Sequence, residues 1–162
     1  MAEMTVEQRL KLLEDKQALA EHMNLYCKTA DRFDWAAWAD TFTEDSLFEF
    51  VGGFGDMRGR QVIHDTCKGN MDHVYDVMQH MMSNLDFEVD GDNATGTGNL
   101  IFTGIMDAAR PTEYYMSGGR YQWTYRRTDA GWKIARTKLE FIWNNGGDKD
   151  AVFQEKATET TA

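Results

Sequence analysis

The spacing of hydrophobic positions changes period part-way along the chain. Leu12, Leu19, Met23, Tyr26 and Ala30 recur at spacings of seven, four, three and four, which trace one face of an amphipathic helix. Thr5-Val6-Glu7-Gln8 ahead of them is a capping-box pattern that marks a helix start. Asp34 reads as the N-cap of a second helix whose apolar stripe is Trp35, Trp38 and Phe42. Thr43-Glu44-Asp45 is polar and loop-like, and residues 47–51 read as a strand. Gly52, Gly53, Gly55 and Gly59 then make a flexible stretch, a turn or a mobile flap. Residues 61–76 predict a third helix, with Val62, Ile63, Thr66 and Cys67 near one side.

From Val77 the period becomes that of strands, expected at 78–88, 94–106, 114–126 and 132–143. Asp90-Gly91-Asp92-Asn93 and Thr128-Asp129-Ala130-Gly131 are turn sequences, and residues 107–112 form a longer connection with the sole proline. Helices come early and long antiparallel strands late, which argues an α+β fold. Gly96, Gly98, Gly104 and the pair Gly118-Gly119 fall inside strands, where glycine marks bulges and bends. The expected architecture is a cone-shaped α+β barrel: a strongly curved, mostly antiparallel sheet wrapped around the N-terminal helices. Residues 1–145 form one domain in this reading, and 146–162 a polar tail.

Both parities of the late strands carry large side chains. Tyr115, Tyr121, Trp123 and Tyr125 share one parity; Tyr114, Met116, Arg120, Gln122 and Arg126 share the other. A half-buried sheet shows one clean polar face. A sticky outer face predicts a homo-oligomer, dimer or trimer, while the inner aromatics either fill the core or face a ligand.

Composition narrows the function. The chain has 162 residues and 42% hydrophobic content, enough for one self-sufficient core. Its 27 acidic residues against 17 basic give a net charge of −10, which disfavours nucleic acid and anionic membrane surfaces as partners. No apolar run approaches a membrane span, and no signal-peptide core opens the chain, so a reducing cytoplasm is the expected location. Cys27 and Cys67 lack the spacing of a zinc or redox site. The four histidines have no metal spacing, and no phosphate-binding glycine loop or nucleophile elbow occurs, so neither metal nor nucleotide cofactor is expected.

His22, His64 and His73 stand among acidic neighbours and read as a solvated polar face. His80 differs: its alternation set is Met78, His80, Met82 and Asn84, so an imidazole sits on a largely apolar strand face. A lone buried histidine is more often structural than catalytic, and the pattern leaves both roles open. Asp31 continues the buried face of Tyr26 and Ala30, and Asp34 is the better cap for the next helix. A buried carboxylate needs a partner, and His80 is the natural one.

Four stretches together resemble the SnoaL-like group of the nuclear-transport-factor-2-like superfamily. They are Tyr26-Cys27-Lys28-Thr29-Ala30-Asp31-Arg32-Phe33-Asp34-Trp35, the run from Phe42 to Ser46, Arg58-Gly59-Arg60-Gln61-Val62-Ile63, and Tyr125 through Ile134. His80 at the opening of a strand matches as well. Asp31 and His80 resemble the catalytic pair of scytalone dehydratase and hexachlorocyclohexane dehydrochlorinase, and bile-acid dehydratases look similar. The resemblance implies a cofactor-independent lyase that removes a proton from carbon and expels water or halide from a small hydrophobic, ring-sized substrate. Tyr26 or Tyr121 is the candidate acid for the leaving group, with Phe50, Phe54, Asn84, Tyr121, Trp123, Phe141 and Trp143 toward the substrate. The chain departs from scytalone dehydratase, which has tyrosines at the positions of Ala30 and Phe50 and a further histidine on a middle strand. Isomerases, polyketide cyclases and dioxygenase small subunits share the superfamily, so an isomerase, a cyclase or a non-catalytic binder stands as the alternative.

Overall fold

A computed structural model describes residues 4–52 and 55–146; Phe54 and the 147–162 tail lie outside the described residues. Helix α1 (Val6–Asp31) opens with the expected capping box: the Thr5 hydroxyl accepts from the Gln8 N–H at 3.2 Å, and the Gln8 side chain accepts from the Thr5 N–H at 2.9 Å. The helix buries Leu19, Met23, Tyr26 and Ala30 on its inner face. It stops in a Schellman arrangement, with the Phe33 N–H on the Ala30 carbonyl at 2.9 Å and the Asp34 N–H on the Thr29 carbonyl at 3.0 Å. Phe33 takes the left-handed conformation there, φ 57°, a place usually given to glycine. Its ring packs edge-on against Trp35.

Asp34 then caps the short α2 (Trp35–Ala39), accepting from the Ala37 N–H. Phe42 does not extend this helix. It opens β1 (Phe42–Val51), so Thr43, Glu44 and Asp45 lie in a strand rather than a loop. The confusion has a physical origin: Phe42 packs on Trp38 at 5.0 Å between ring centroids, as a helical neighbour would, while its backbone already pairs with the last strand. Part of the glycine-rich stretch forms β2 (Gly55–Arg58), antiparallel to β1. Helix α3 (Arg60–Met71) ends five residues before the expected 76, because Val74 and Tyr75 turn into the core. Gly104 admits this turn: any β-carbon there would collide with the Tyr75 ring.

Four long strands complete the sheet: β3 (Val77–Asp90), β4 (Asn93–Ile105), β5 (Tyr114–Thr128) and β6 (Gly131–Asn144). The order is β2-β1-β6-β5-β4-β3, antiparallel except for the β1–β6 pair. The sheet is curved and unclosed, α1 packs along β3, and the odd positions of β5 from Tyr115 to Tyr125 face the core. On the other face, Met81, Ile101, Gly118 and Trp143 stand opposite one another across four strands, and Met81, Ile101 and Trp143 are exposed. No helix among the described residues is long and apolar enough to cross a membrane.

His22 corrects the sequence reading. It is not at a solvated edge: its ring meets Tyr125 edge-on at 5.6 Å, and both ring nitrogens are buried without a hydrogen-bond partner among the described residues. Burial, reinforced by the nearby Lys133 ammonium, pulls its pKa from 6.5 to about 4. Protonation therefore favours the unfolded chain. Stability should be intact above pH 6.5 and fall as the pH drops toward 4, by about 3 kcal/mol from this group alone. Acid-titrated urea melts of the wild type against His22→Phe should show this loss in the wild type and a flatter profile in the variant.

Candidate active site

Asp31 is the last residue of α1, where a carboxylate faces the negative end of the helix dipole. What holds it there is a single residue of β3. The Asp31 carboxylate accepts the His80 backbone N–H, at 2.9 Å to Oδ1 and 3.1 Å to Oδ2, and Oδ1 lies 2.6 Å from His80 Nδ1. β3 is an edge of the sheet, so the carboxylate also satisfies a backbone donor that no neighbouring strand takes up. The side chains retain 22% and 10% exposure for Asp31 and His80, which places the pair at the boundary between core and cavity.

The geometry sets the tautomer. An ionised carboxylate only accepts, so Nδ1 must carry the proton and donate it. In the neutral ring Nε2 is then the basic nitrogen. The ring also packs against Phe102, its cross-strand partner, at 4.9 Å between centroids. This contact fixes the imidazole in a plane that the carboxylate alone would leave free to tilt.

His80 opens on a small cavity of about 50 Å³. The wall is almost wholly apolar and draws on every layer of the fold: Tyr26 and Ala30 from α1, Trp35 and Trp38 from α2, Cys67 and Met71 from α3, and Phe48, Phe50, Leu100, Phe102, Tyr121, Leu139 and Phe141 from the sheet. Gly118 and Gly119 contribute bare backbone. The polar groups are few. The Tyr26 and Tyr121 hydroxyls lie 3.3 Å apart and share a hydrogen bond. Burial raises the Tyr26 pKa well above the ordinary phenol value and raises that of Tyr121 too, so both phenols stay protonated and able to donate. Burial also pushes the Cys67 thiol up to about 12, which makes it an inert part of the wall.

The sequence-derived residues divide accordingly. Asp31 pairs with His80, and His80, Tyr26, Tyr121, Phe50 and Phe141 share the cavity. Trp123 does not line it: the indole lies behind Tyr121, stacked at 5.1 Å, and supports that ring from the core. Asn84 is exposed, held at φ 54° beside a break in register between Ser83 and Asp86. Trp143 is 43% exposed, because a bulge in β6 sets it opposite Gly118 instead of continuing the inner face of Leu139 and Phe141. The α2 tryptophans and Phe102 escaped the sequence reading as cavity residues, although the helical stripe and the pairing with His80 carried the signal. No group of three His, Cys, Asp or Glu side chains that could hold a metal ion occurs among the described residues.

Residues 11–138 match the SnoaL-like domain. The chain belongs to the SnoaL-like family. Its fold is that of the nuclear-transport-factor-2-like superfamily. A Novosphingobium aromaticivorans protein provisionally named an aromatic ring hydroxylase is 28% identical, with a TM-score of 0.72 over 81% of this chain and 91% of its own. A second protein of that species, provisionally named a scytalone dehydratase, is 22% identical, TM-score 0.73, over 82% and 87%. Hexachlorocyclohexane dehydrochlorinase LinA-type3 of Novosphingobium barchaimii is 18% identical, TM-score 0.72, over 84% and 92%. No curated protein matches the chain. At these lower identities the likeness to the two lyases is one of fold. The scaffold therefore has lyases among its structural neighbours, alongside proteins of other names.

The carboxylate's structural share is measurable by itself. Asp31→Ala strands the His80 N–H and Nδ1–H, and should lower stability by about 1–3 kcal/mol in chemical denaturation; Asp31→Asn, which keeps one acceptor, should lose less.

Proposed function

We propose that this SnoaL-like protein is a cofactor-independent lyase, a dehydratase or dehydrohalogenase, acting on a small hydrophobic cyclic substrate. The observation that carries the reading is the 2.6 Å contact between Asp31 Oδ1 and His80 Nδ1, which commits one ring nitrogen and leaves Nε2 for the cavity. Nε2 takes a proton from an acidic C–H as the carbon–leaving-group bond breaks. Asp31 holds the tautomer and stabilises the imidazolium that forms. The imidazolium then hands its proton to the departing hydroxyl, so that water leaves and the base is restored. A positioned base of this kind contributes about 10²–10⁴-fold in rate. Of Tyr26 and Tyr121, both kept protonated, one donates to the other and the remaining O–H donates to substrate oxygen as charge develops. The apolar wall excludes water and suits a hydrophobic ring.

We also propose that the outer sheet face carrying Met81, Ile101 and Trp143 joins copies of the chain as a homodimer or homotrimer. Light scattering should give a multiple of the 18.6 kDa chain mass that falls to one chain in Ile101→Glu; a monomeric wild type refutes this.

The enzymatic reading is checked with a panel of cyclic β-hydroxy ketones and hexachlorocyclohexanes, scored by product mass. Loss of water or hydrogen halide supports a lyase, and an unchanged mass an isomerase. His80→Ala and Asp31→Asn should each lower turnover by about 10²–10⁴-fold with circular dichroism unchanged. Full activity in both variants would overturn the dyad mechanism.

A further inference from the structure

Helix α1 carries apolar side chains on two opposite sides. Asp15, Leu19, Met23 and Tyr26 are buried on the side that faces the core. Val6, Leu10 and Leu13 are not: they are 72%, 55% and 65% exposed. At 3.6 residues per turn, positions 6, 10 and 13 fall within about 60° of one another, roughly opposite the buried side. They make a contiguous apolar stripe along the first two turns, the kind of exposed patch that marks an interaction surface. Every residue from Met4 to Lys11 is exposed, so a second helix can lie alongside.

The two shoulders of the stripe carry opposite charges. Glu7 and Glu14 border it on one side, Arg9 and Lys16 on the other, each pair seven residues apart. Apolar positions spaced by four and three, with charges on both shoulders, form a short coiled-coil seam. Among the described residues Arg9, Glu14 and Lys16 make no ion pair, whereas Lys11, nearer the core, is held by Asp15 at 3.6 Å. Charge then decides direction. Two such helices laid antiparallel would set like shoulder against like. Laid parallel, each basic shoulder meets the other copy's acidic one, with Arg9 level with Glu14 and Lys16 level with Glu21.

We propose that this stripe is a docking surface for a second copy of the chain: two α1 helices pair in parallel through Val6, Leu10 and Leu13, with Arg9 of each copy against Glu14 of the other. The core already holds the helix, so pairing does not have to supply the cost of forming it. The inference rests neither on the chemistry of the cavity nor on the outer sheet face. Three apolar side chains per copy make a small contact, and copies of charge −10 repel one another. The dissociation constant should therefore be about 0.1–1 mM, so the pair is absent at the roughly 10 µM of a light-scattering measurement.

Sedimentation equilibrium of Ile101→Glu isolates this contact from the sheet face, in about 0.15 M salt to shorten the range of the net repulsion. Monomer and dimer should exchange between about 0.05 and 1 mM. Adding Arg9→Glu should weaken the dimer about tenfold, because two attractive pairs become two repulsive ones, and adding Glu14→Arg as well should restore it. Both positions are exposed, so circular dichroism should not change. Leu13→Cys should give a disulfide-linked dimer under copper–phenanthroline, well above the wild type with its native Cys27 and buried Cys67, since parallel pairing brings the two copies of position 13 together. A chain that stays monomeric at about 1 mM overturns the proposal. So does a dimer indifferent to Arg9→Glu, a loss that Glu14→Arg fails to restore, or the absence of the Leu13→Cys cross-link.

Discussion

An unclosed sheet must do something with its edges, and here a carboxylate takes up one outward donor of an edge strand. β3 ends the sheet, α1 lies along it, and Asp31 at the helix terminus takes up the outward N–H of His80. The same oxygen takes the ring Nδ1 of that residue. One side chain thus fixes where the helix ends relative to the strand and which nitrogen of the imidazole stays free. Neither partner is well placed alone. The acid opposes the helix dipole, and the edge donor would otherwise be orphaned. Their union offsets both costs, and Phe33 takes a left-handed backbone two residues later, where the helix ends.

The cavity follows from how the remaining space is filled. Aromatic rings from α1, α2 and β1 interlock: Tyr26 meets Phe42 edge to face and Trp38 at a tilt, and Trp38 meets Trp35 and Phe42 edge to face. Large flat groups interlock well with each other and badly with a curved wall. The sheet answers with glycine. A β-carbon at Gly98 would press on Leu85 and Trp123, and one at Gly119 on Leu139. Missing side chains on the strands let the second layer of aromatics approach and leave room in front of His80 that no chain atom fills.

Much of this was legible in the residues. The capping box, the inner face of α1 and the four late strands were legible in local motifs and alternation, whereas the pairing of Asp31 with His80 joins residues far apart in the chain and followed from the need of a buried carboxylate for a partner. The misread positions share a cause. Phe42 satisfies a helical and a strand period at once, so the boundary between α2 and β1 leaves no mark. His22 has an acidic neighbour in Glu21, which suggests an exposed face, but it is three residues from Leu19 and four from Tyr26 and therefore turns inward with them. Asn84 and Trp143 were displaced by breaks in register, and a slip of one residue moves a side chain to the opposite face of a sheet. Alternation counted along one strand cannot reveal such a slip, because it depends on the partner strand.

The charge of the chain acquires a meaning once the cavity is placed. A net charge of −10 repels anions from the whole surface, and the cavity offers no lysine or arginine among its described lining residues to draw one inward. Acidic partners of half-buried basic residues, such as Asp40 for Arg60 and Lys133, hold those side chains in networks outside the cavity. The described lining of the cavity is left with His80, held by Asp31, and a few neutral donors. Proton transfer in such a space cannot lean on a distant cation to stabilise the anion it creates. In the proposed lyase reaction, each step would keep its charges close, between carboxylate, imidazolium and a hydrogen-bonded oxygen. That favours a reaction in which the proton removed from carbon is returned to the departing group within the same cavity.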